Sequence, residues 1–506
     1  MRASGDPMSS GPLLGGTLHA LAGGVALPAC AAPPKVAEAV PRVQLTMSPY
    51  YGKSDFSPLS GDRARVVDLV SVADLLRNGF VYPPHSVFRD VKLVTFSFDP
   101  SHDMHADPQF RFVFREDERR NAGDIADPDW VGTYHRLLCD AVSDTCRDMR
   151  APWLLQSGGK DSTSIAIAAA DARPDMCCIT YLGGTEENEV ESARAVAAAL
   201  GLRHETLVCD AGRAYDRYLA LVDRMPLLTA DFALLSYVDL ATQVAEEGGD
   251  GIVDGMCSDN YFGVQTGWKH RWLAACARGL RLPGFLAELP LVRRNFELCY
   301  MLSTLQMNPV ERVFPGSRFT DDEVDALFGR EVSRLSKRRL DVFRAEMESA
   351  SSVDEWWAIA SSIAGSSASV GKGLYTTAAL SLQAAYPFCD RRLCEWVFRQ
   401  VPRDELVDPV GRVSKLLMRR HIATRFGRLP YVVKKGSFRF DLCGLARQRF
   451  EQVHAFARQA HEVLPGAASW LERNRVRFDN KYHASKFYLL AVVLPWIAKR
   501  EQGAVR

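Results

Sequence analysis

A chain of 506 residues, 47% hydrophobic and 24% charged, has the length for two or three domains and the composition of a soluble globular protein. Lys+Arg 62 against Asp+Glu 61 leaves a formal net charge of +1, so no global field draws it to nucleic acid or to an anionic membrane. Its 12 cysteines include no CxxC pair and no Cys/His spacing suited to zinc, and are expected as buried thiols of a reducing cytoplasm.

In chain order, residues 1–47 are rich in Gly, Ala and Pro and are expected to be flexible. Within them "LLGGTLHALAGGVALPACAAPP" (13–34) has the apolar run and small-residue end of an export signal. Arg2 is its only positive charge, and Gly15, Gly16 and His19 interrupt it, so it is read against export. "KLVTFSFDP" (92–100) and "QFRFVFRED" (109–117) read as strands, and "NAGDIADPDW" (121–130) reads as a linker. A boundary is therefore set between residues 1–125 and 126–506. "WVGTYHRLLCDAVSDTCRDM" (130–149) has helical spacing. Strands at 153–156, 176–184, 204–210 and 249–263 then alternate with helices at 162–172 and 189–201. This is the order of a parallel sheet with helices on both faces. After residue 265 the pattern is mostly helical. "YLLAVVLPWIA" (488–498) is too short to span a bilayer, which takes about 18 or more apolar residues, and reads as a buried helix.

The densest chemistry is "WLLQSGGKDS" (153–162), where a strand stops at a glycine pair and a helix begins. A helix start leaves N–H groups unpaired, and with the positive end of the helix dipole these suit a phosphate. Gly158 and Gly159 allow close backbone approach. Ser157 and Ser162 offer hydroxyls, Lys160 a positive charge, and Asp161 a carboxylate for Mg2+ bridging phosphate oxygens. The spacing is not that of a Walker A loop. It resembles the PP-loop, SGGxDS, whose family grips the pyrophosphate part of ATP.

Further segments extend the resemblance to the asparagine synthetase family. "EENEVESARAVAAALGLRHETL" (186–207) resembles the segment after its loop. "GIVDGMCSDNYFG" (251–263) resembles its second phosphate and metal loop, with Gly255 and Asp259 in matching places. "YPFCDRRLCEWV" (386–397), "SKLLMRRHI" (414–422), "VVKKGSFRF" (432–440) and "SKFYLLAVVLPWI" (485–497) follow in the family's order. "VADLLRNGFVYPPHSVFRDVKLV" (72–94) resembles the distal part of its glutaminase domain.

The resemblance implies an α/β fold: a parallel-sheet PP-loop synthetase domain with a helical C-terminal part, preceded by an α+β glutaminase-like remnant. It implies ATP and Mg2+, with Asp161 and Asp259 as metal carboxylates and Ser157–Ser162, Gly255 and Asp259 around the nucleotide. Lys434 matches the position that meets charge building on the acyl phosphate, with Lys435 as its neighbour. A substrate carboxylate would be adenylated and an amine would displace AMP. Residue 2 is Arg2 and the first cysteine is Cys30, where the family's glutaminase needs an N-terminal cysteine, so glutamine-derived ammonia is not expected. The sequence departs from the family at Met256, Asn260, Gln383 and Ala385, and no base for the amine is visible. Together these features resemble most the lasso-peptide cyclases. A leader-processed precursor peptide as substrate, a leader-peptide protease as partner, and a cytoplasmic setting without nucleic acid or membrane follow as expectations. β-Lactam synthetases, ammonia-fed amidotransferases of surface-sugar pathways, an inactive scaffold and a tRNA thiolase stand as the other readings.

Overall fold

Five short segments form a parallel sheet, in order across it β7 (Arg203–Val208), β6 (Cys177–Leu182), β5 (Pro152–Leu155), β8 (Gly251–Val253) and β9 (Gln383–Ala385). The computed structural model describes residues 42–59, 65–100, 106–119, 129–183, 189–263, 295–314, 316–410, 412–427 and 440–504, all within one unit, Pro41–Arg506. Register sets Trp153 beside Cys177 and Ile252, and Ile252 beside Ala384.

Alternation divides the side chains between two cores. Leu154, Cys178, Val253 and Ala385 pack with Leu138 and Val142 of α2 (Trp130–Thr145) and with Ile165 and Ala169 of α3 (Lys160–Ala172). Trp153, Leu155, Cys177, Ile179 and Ile252 pack with Tyr237, Leu240 and Val244 of the helix Leu234–Glu246. Apolar residues on both faces are what a covered parallel sheet requires. The expected strands at 153–156, 176–184, 204–210 and 249–263 are all present, the last shortened to three residues. β9 was not foreseen, because three residues cannot display an alternation.

The N-terminal part builds two small sheets. β1 (Val43–Thr46) pairs in parallel with β2 (Val91–Val94), and β3 (Phe98–Asp99) pairs antiparallel with β4 (Gln109–Phe110). β1 lies inside the 47 residues expected to be flexible: Leu45 is buried against the large core, which fixes the strand. The strand expected over 109–117 is paired only at Gln109–Phe110. Beyond it the alternation persists without a partner strand, with Phe112 buried and Arg111 and Val113 exposed. The segment 488–498 is inside the helix Lys481–Ala504, with Pro495 within it. Among the described residues no helix is long and apolar enough to cross a membrane.

The helix α1 (Leu69–Asn78) joins this region to the rest. Its Val72, Leu75 and Leu76 share a core with Phe487, Leu490 and Val493. At its end Arg77, 1% exposed, donates from Nη2 to Glu311, 0% exposed, at 2.7 Å, and the Tyr82 hydroxyl donates to the same carboxylate at 2.8 Å. Breaking a buried pair leaves an uncompensated charge, so Arg77→Met should cost about 3–5 kcal/mol in urea unfolding. Arg77→Met combined with Glu311→Leu should cost far less. Equal losses in the two variants would show that the pair is not the cause.

Candidate functional site

The strand order reverses direction between β5 and β8, because β6 and β7 run out to one side and β9 to the other. A crevice opens outside the carboxyl ends of strands at such a point. The residues following these two strands are Ser157–Ser162 and Asp254–Asp259, so the topology brings both sequence-predicted loops to one place.

In the first loop Gly158 has φ +62°, a left-handed conformation open to glycine. A Cβ there would also lie 3.1 Å from the Glu189 carbonyl oxygen and 3.3 Å from Ser192 Cβ. Gly159 is the residue before α3, and no side chain caps that helix. Asp68, Asp129 and Asp210 cap other helices of the chain. Ser162 braces the loop: its Oγ accepts from the Ser157 N–H at 3.1 Å, lies 3.2 Å from Ser157 Oγ and donates to the Gly159 carbonyl at 3.3 Å. Lys160 opens α3 and is half-buried.

The second loop closes against the first. A Cβ on Gly255 would stand 3.4 Å from the Ser162 backbone nitrogen and from Ile165 Cδ1. Ser258 Oγ donates to Asp161 Oδ1 at 2.6 Å. Lys415 joins the two: its Nζ donates to Asp161 Oδ1, to Ser258 Oγ at 2.8 Å, and pairs with Asp259 Oδ1 at 2.7 Å. Its side chain is 5% exposed while that of Asp259 is 72% exposed. Burial alone lowers the ammonium's pKa, but the Asp161 and Asp259 carboxylates outweigh it and hold the pKa above the usual lysine range. Lys415 itself has φ +57°, rare for a residue with a side chain, immediately before the helix Leu416–Phe426.

The expected metal carboxylates therefore meet at one positive charge. Two carboxylates and a hydroxyl are hard oxygen donors. Mg2+ commonly takes one or two protein carboxylates and completes its shell with phosphate and water, so the pair fits it. Among the described residues no group of three His, Cys, Asp or Glu side chains gathers as a metal site. Lys434 and Lys435 lie outside the described residues.

The departures from the family fall in different places. Met256 is half-buried against the large core, and Ala385 is buried in the core beneath α2 and α3. The Gln383 amide donates to the Asp148 carbonyl at 3.0 Å at the start of β9, away from the loops. His204 bonds Thr180 Oγ1 through Nε2 at 2.8 Å, and Tyr482, His483 and Lys486 are buried.

Sequence reasoning passed over Lys415. Its segment was recognised, but its carboxylate partner on α3 is 254 residues away. It also passed over a chain of hydrogen bonds binding the Lys415 helix to α3. His421 Nδ1 meets Ser164 Oγ at 2.9 Å, His421 Nε2 meets His135 Nδ1 at 3.0 Å, and His135 Nε2 meets Asp171 Oδ2 at 3.2 Å. Two neutral histidines satisfy all three at once if each passes its N–H toward Asp171.

The family model for asparagine synthase matches residues 133–434, more than half of the chain. A search of curated proteins finds no match. Among solved structures the chain is similar to an NH3-dependent NAD synthetase from Campylobacter jejuni subsp. jejuni NCTC 11168 in complex with the nitrate ion. Identity is 13% over 43% of this chain and 97% of that one, with a TM-score of 0.19. It is also similar to an NMN synthetase from Francisella tularensis, 15% identical over 44% of this chain and 94% of that one, again with a TM-score of 0.19.

Burial, then His135 and Arg425, push His421 down to about 3. Its unfolded value is about 6.5, so between these values the unfolded chain binds a proton that the folded chain refuses. The stability of the neutral imidazole is present above about pH 6.5 and is lost as pH falls toward 3. Thermal midpoints should fall more steeply in the native chain than in His421→Gln between about pH 7 and about pH 5. Parallel curves would show that His421 has no share.

Proposed function

The chain belongs to the asparagine synthase family and is an ATP-dependent amide synthetase, and on that premise we propose that it closes a lasso-peptide macrolactam. The carboxylate side chain of an Asp or Glu in a leader-processed peptide is adenylated, with release of pyrophosphate. The peptide's own N-terminal amine then displaces AMP. The observation that carries the chemistry is the meeting of Asp161, Asp259 and Lys415 beside the uncapped start of α3.

Each group has a part. The backbone N–H groups at the start of α3 and the glycines before it bind phosphate oxygens. Asp161 and Asp259 hold Mg2+, which when bound neutralises phosphate charge. Lys415 keeps the two carboxylates together and, at 5% exposure, remains an ammonium because of them. Lys434 meets the negative charge that develops at phosphorus and then at the acyl oxygen, with Lys435 as its neighbour. Met256 can neither give nor take a proton. The amine has an ordinary pKa near ~8 and is partly neutral without a dedicated base. Residues 1–125 are the glutaminase-like remnant and 126–506 the synthetase. A leader-peptide protease is the partner, and the reaction belongs to the cytoplasm, without nucleic acid or membrane.

Incubating the chain with a leader-free precursor and Mg-ATP should give AMP, pyrophosphate and a peptide lighter by one water, as read by mass spectrometry. Asp161→Ala should abolish all three. Appearance of ADP and phosphate instead ends the adenylation reading. Turnover of a free amino acid, with the peptide left linear, favours a β-lactam synthetase or amidotransferase.

Lys434→Ala should lose about 10²–10³ in rate, the scale of one oxyanion donor, with Mg-ATP affinity retained. Lys435→Ala should lose less. Equal rates in the two variants would mean that Lys434 was misplaced.

A further inference from the structure

Three hydrogen bonds tie the loop carrying Asp259 to Tyr50 and Arg119 of the N-terminal region. Tyr50, in the turn Pro49–Tyr51, donates its hydroxyl to the Cys257 carbonyl at 3.1 Å and accepts from Asn260 Nδ2 at 3.3 Å. Arg119 donates from Nη2 to the Tyr261 carbonyl at 3.0 Å. The three contacts fall on residues 257, 260 and 261, on either side of Asp259. Burial raises the Tyr50 pKa above the usual tyrosine range, so the hydroxyl keeps the proton it donates.

The loop needs such support. Cys257 has φ +81°, a left-handed conformation that a residue with a side chain adopts only where its surroundings over-determine it. Asp259 is the exposed member of the carboxylate pair, at 72% against 17% for Asp161, so burial does little to confine its side chain and its ion pair with Lys415 is left to place it. The Tyr50 ring is itself fixed. It lies 4.6 Å from the Phe96 ring and 6.2 Å from that of Phe114, and Phe114 lies 5.5 Å from Tyr261 and 5.0 Å from Phe398. The Arg119 guanidinium sits 4.9 Å above Phe398. A ladder of rings thus runs from the N-terminal region to the loop, with a hydroxyl and a guanidinium at its end.

We infer that Tyr50 is a positioning residue for the synthetase site: through Cys257 and Asn260 it holds the Asp259 loop where that carboxylate can meet Asp161 and Lys415. The N-terminal region then has a function in the synthetase reaction that needs no chemistry of its own. The loop restraint stands on the hydrogen bonds alone; its bearing on catalysis rests on the ATP reading given above.

Tyr50→Phe removes the hydroxyl and keeps the ring. In the ligand-free chain, amides of residues 256–262 should exchange with deuterium about two- to tenfold faster, the span of one lost hydrogen bond, with exchange elsewhere unchanged. Mg-ATP affinity should fall by a similar factor, while affinity for ATP in EDTA stays, because the loop acts through Asp259. Asn260→Ala approaches the contact from the other side and should add little to Tyr50→Phe when the two are combined. Unchanged exchange in the loop, or faster exchange spread over the chain, overturns the inference. Equal losses for ATP with and without Mg2+ overturn it too, since a general loosening gives that result. If the native chain binds no ATP under either condition, the ATP reading and the catalytic half of the inference fall together, while the exchange data still decide the restraint.

Discussion

The Lys415 ammonium between Asp161 and Asp259 is the interaction on which the site depends. Two carboxylates on loops that meet beyond the ends of β5 and β8 repel each other. A buried ammonium 2.7 Å from one and hydrogen-bonded to the other turns that repulsion into a reason for the loops to meet. A buried charge is costly unless it is paired and hydrogen-bonded. Lys415 satisfies both conditions, with Ser258 as a third partner. The cluster keeps one negative charge in excess, which suits it to a further cation arriving with a polyanion.

The fold supplies what that meeting requires. β5 and β8 are adjacent, so the segments that follow them leave the sheet side by side. The Lys415 helix is held to α3 lower down by the His421–Ser164 contact. One helix pair thus carries a charged contact at its mouth and a neutral, buried one beneath. Truncating the lower contact removes a hydrogen bond between the two helices and leaves the charge, while truncating the upper one removes the charge itself. The two kinds of change separate geometry from electrostatics at the same site.

The parts of the molecule readable from sequence were those that obey local rules. The alternating apolar strands, the glycine stop at Ser157–Ser162 and the helices after it follow from residue order over a dozen positions or fewer, and the sheet has the expected strands. The meeting of Asp161 and Asp259 was reachable through the family resemblance, which implies both as carboxylates at the nucleotide. What escaped depends on contacts between distant segments. Lys415 lies in a run of basic and apolar residues, "SKLLMRR", that resembles an ordinary helix start. β9 is three residues long. In 109–117 the alternation was real, but beyond the paired Gln109–Phe110 it is spent on burying Phe112 under neighbouring aromatic rings and not on pairing with a strand. Alternation reports burial on one side; it does not say what does the burying.

The same distinction bears on residues 42–119. Their small sheets are two and four residues long and could not stand alone. They persist because their side chains belong to cores shared with the synthetase part: Leu45, Val72 and Leu93 with the helix Lys481–Ala504, and Phe96, Phe98 and Phe112 with Phe314 and Phe343. A region so embedded cannot be lost without exposing apolar surface on its neighbour, and its polar groups stay at fixed distances from whatever the neighbour does. Under that constraint a side chain such as Tyr50, held by rings on one side and facing the Asp259 loop on the other, is available to the synthetase as a fixed point. The requirement is packing, and packing can persist whether or not the region does chemistry of its own.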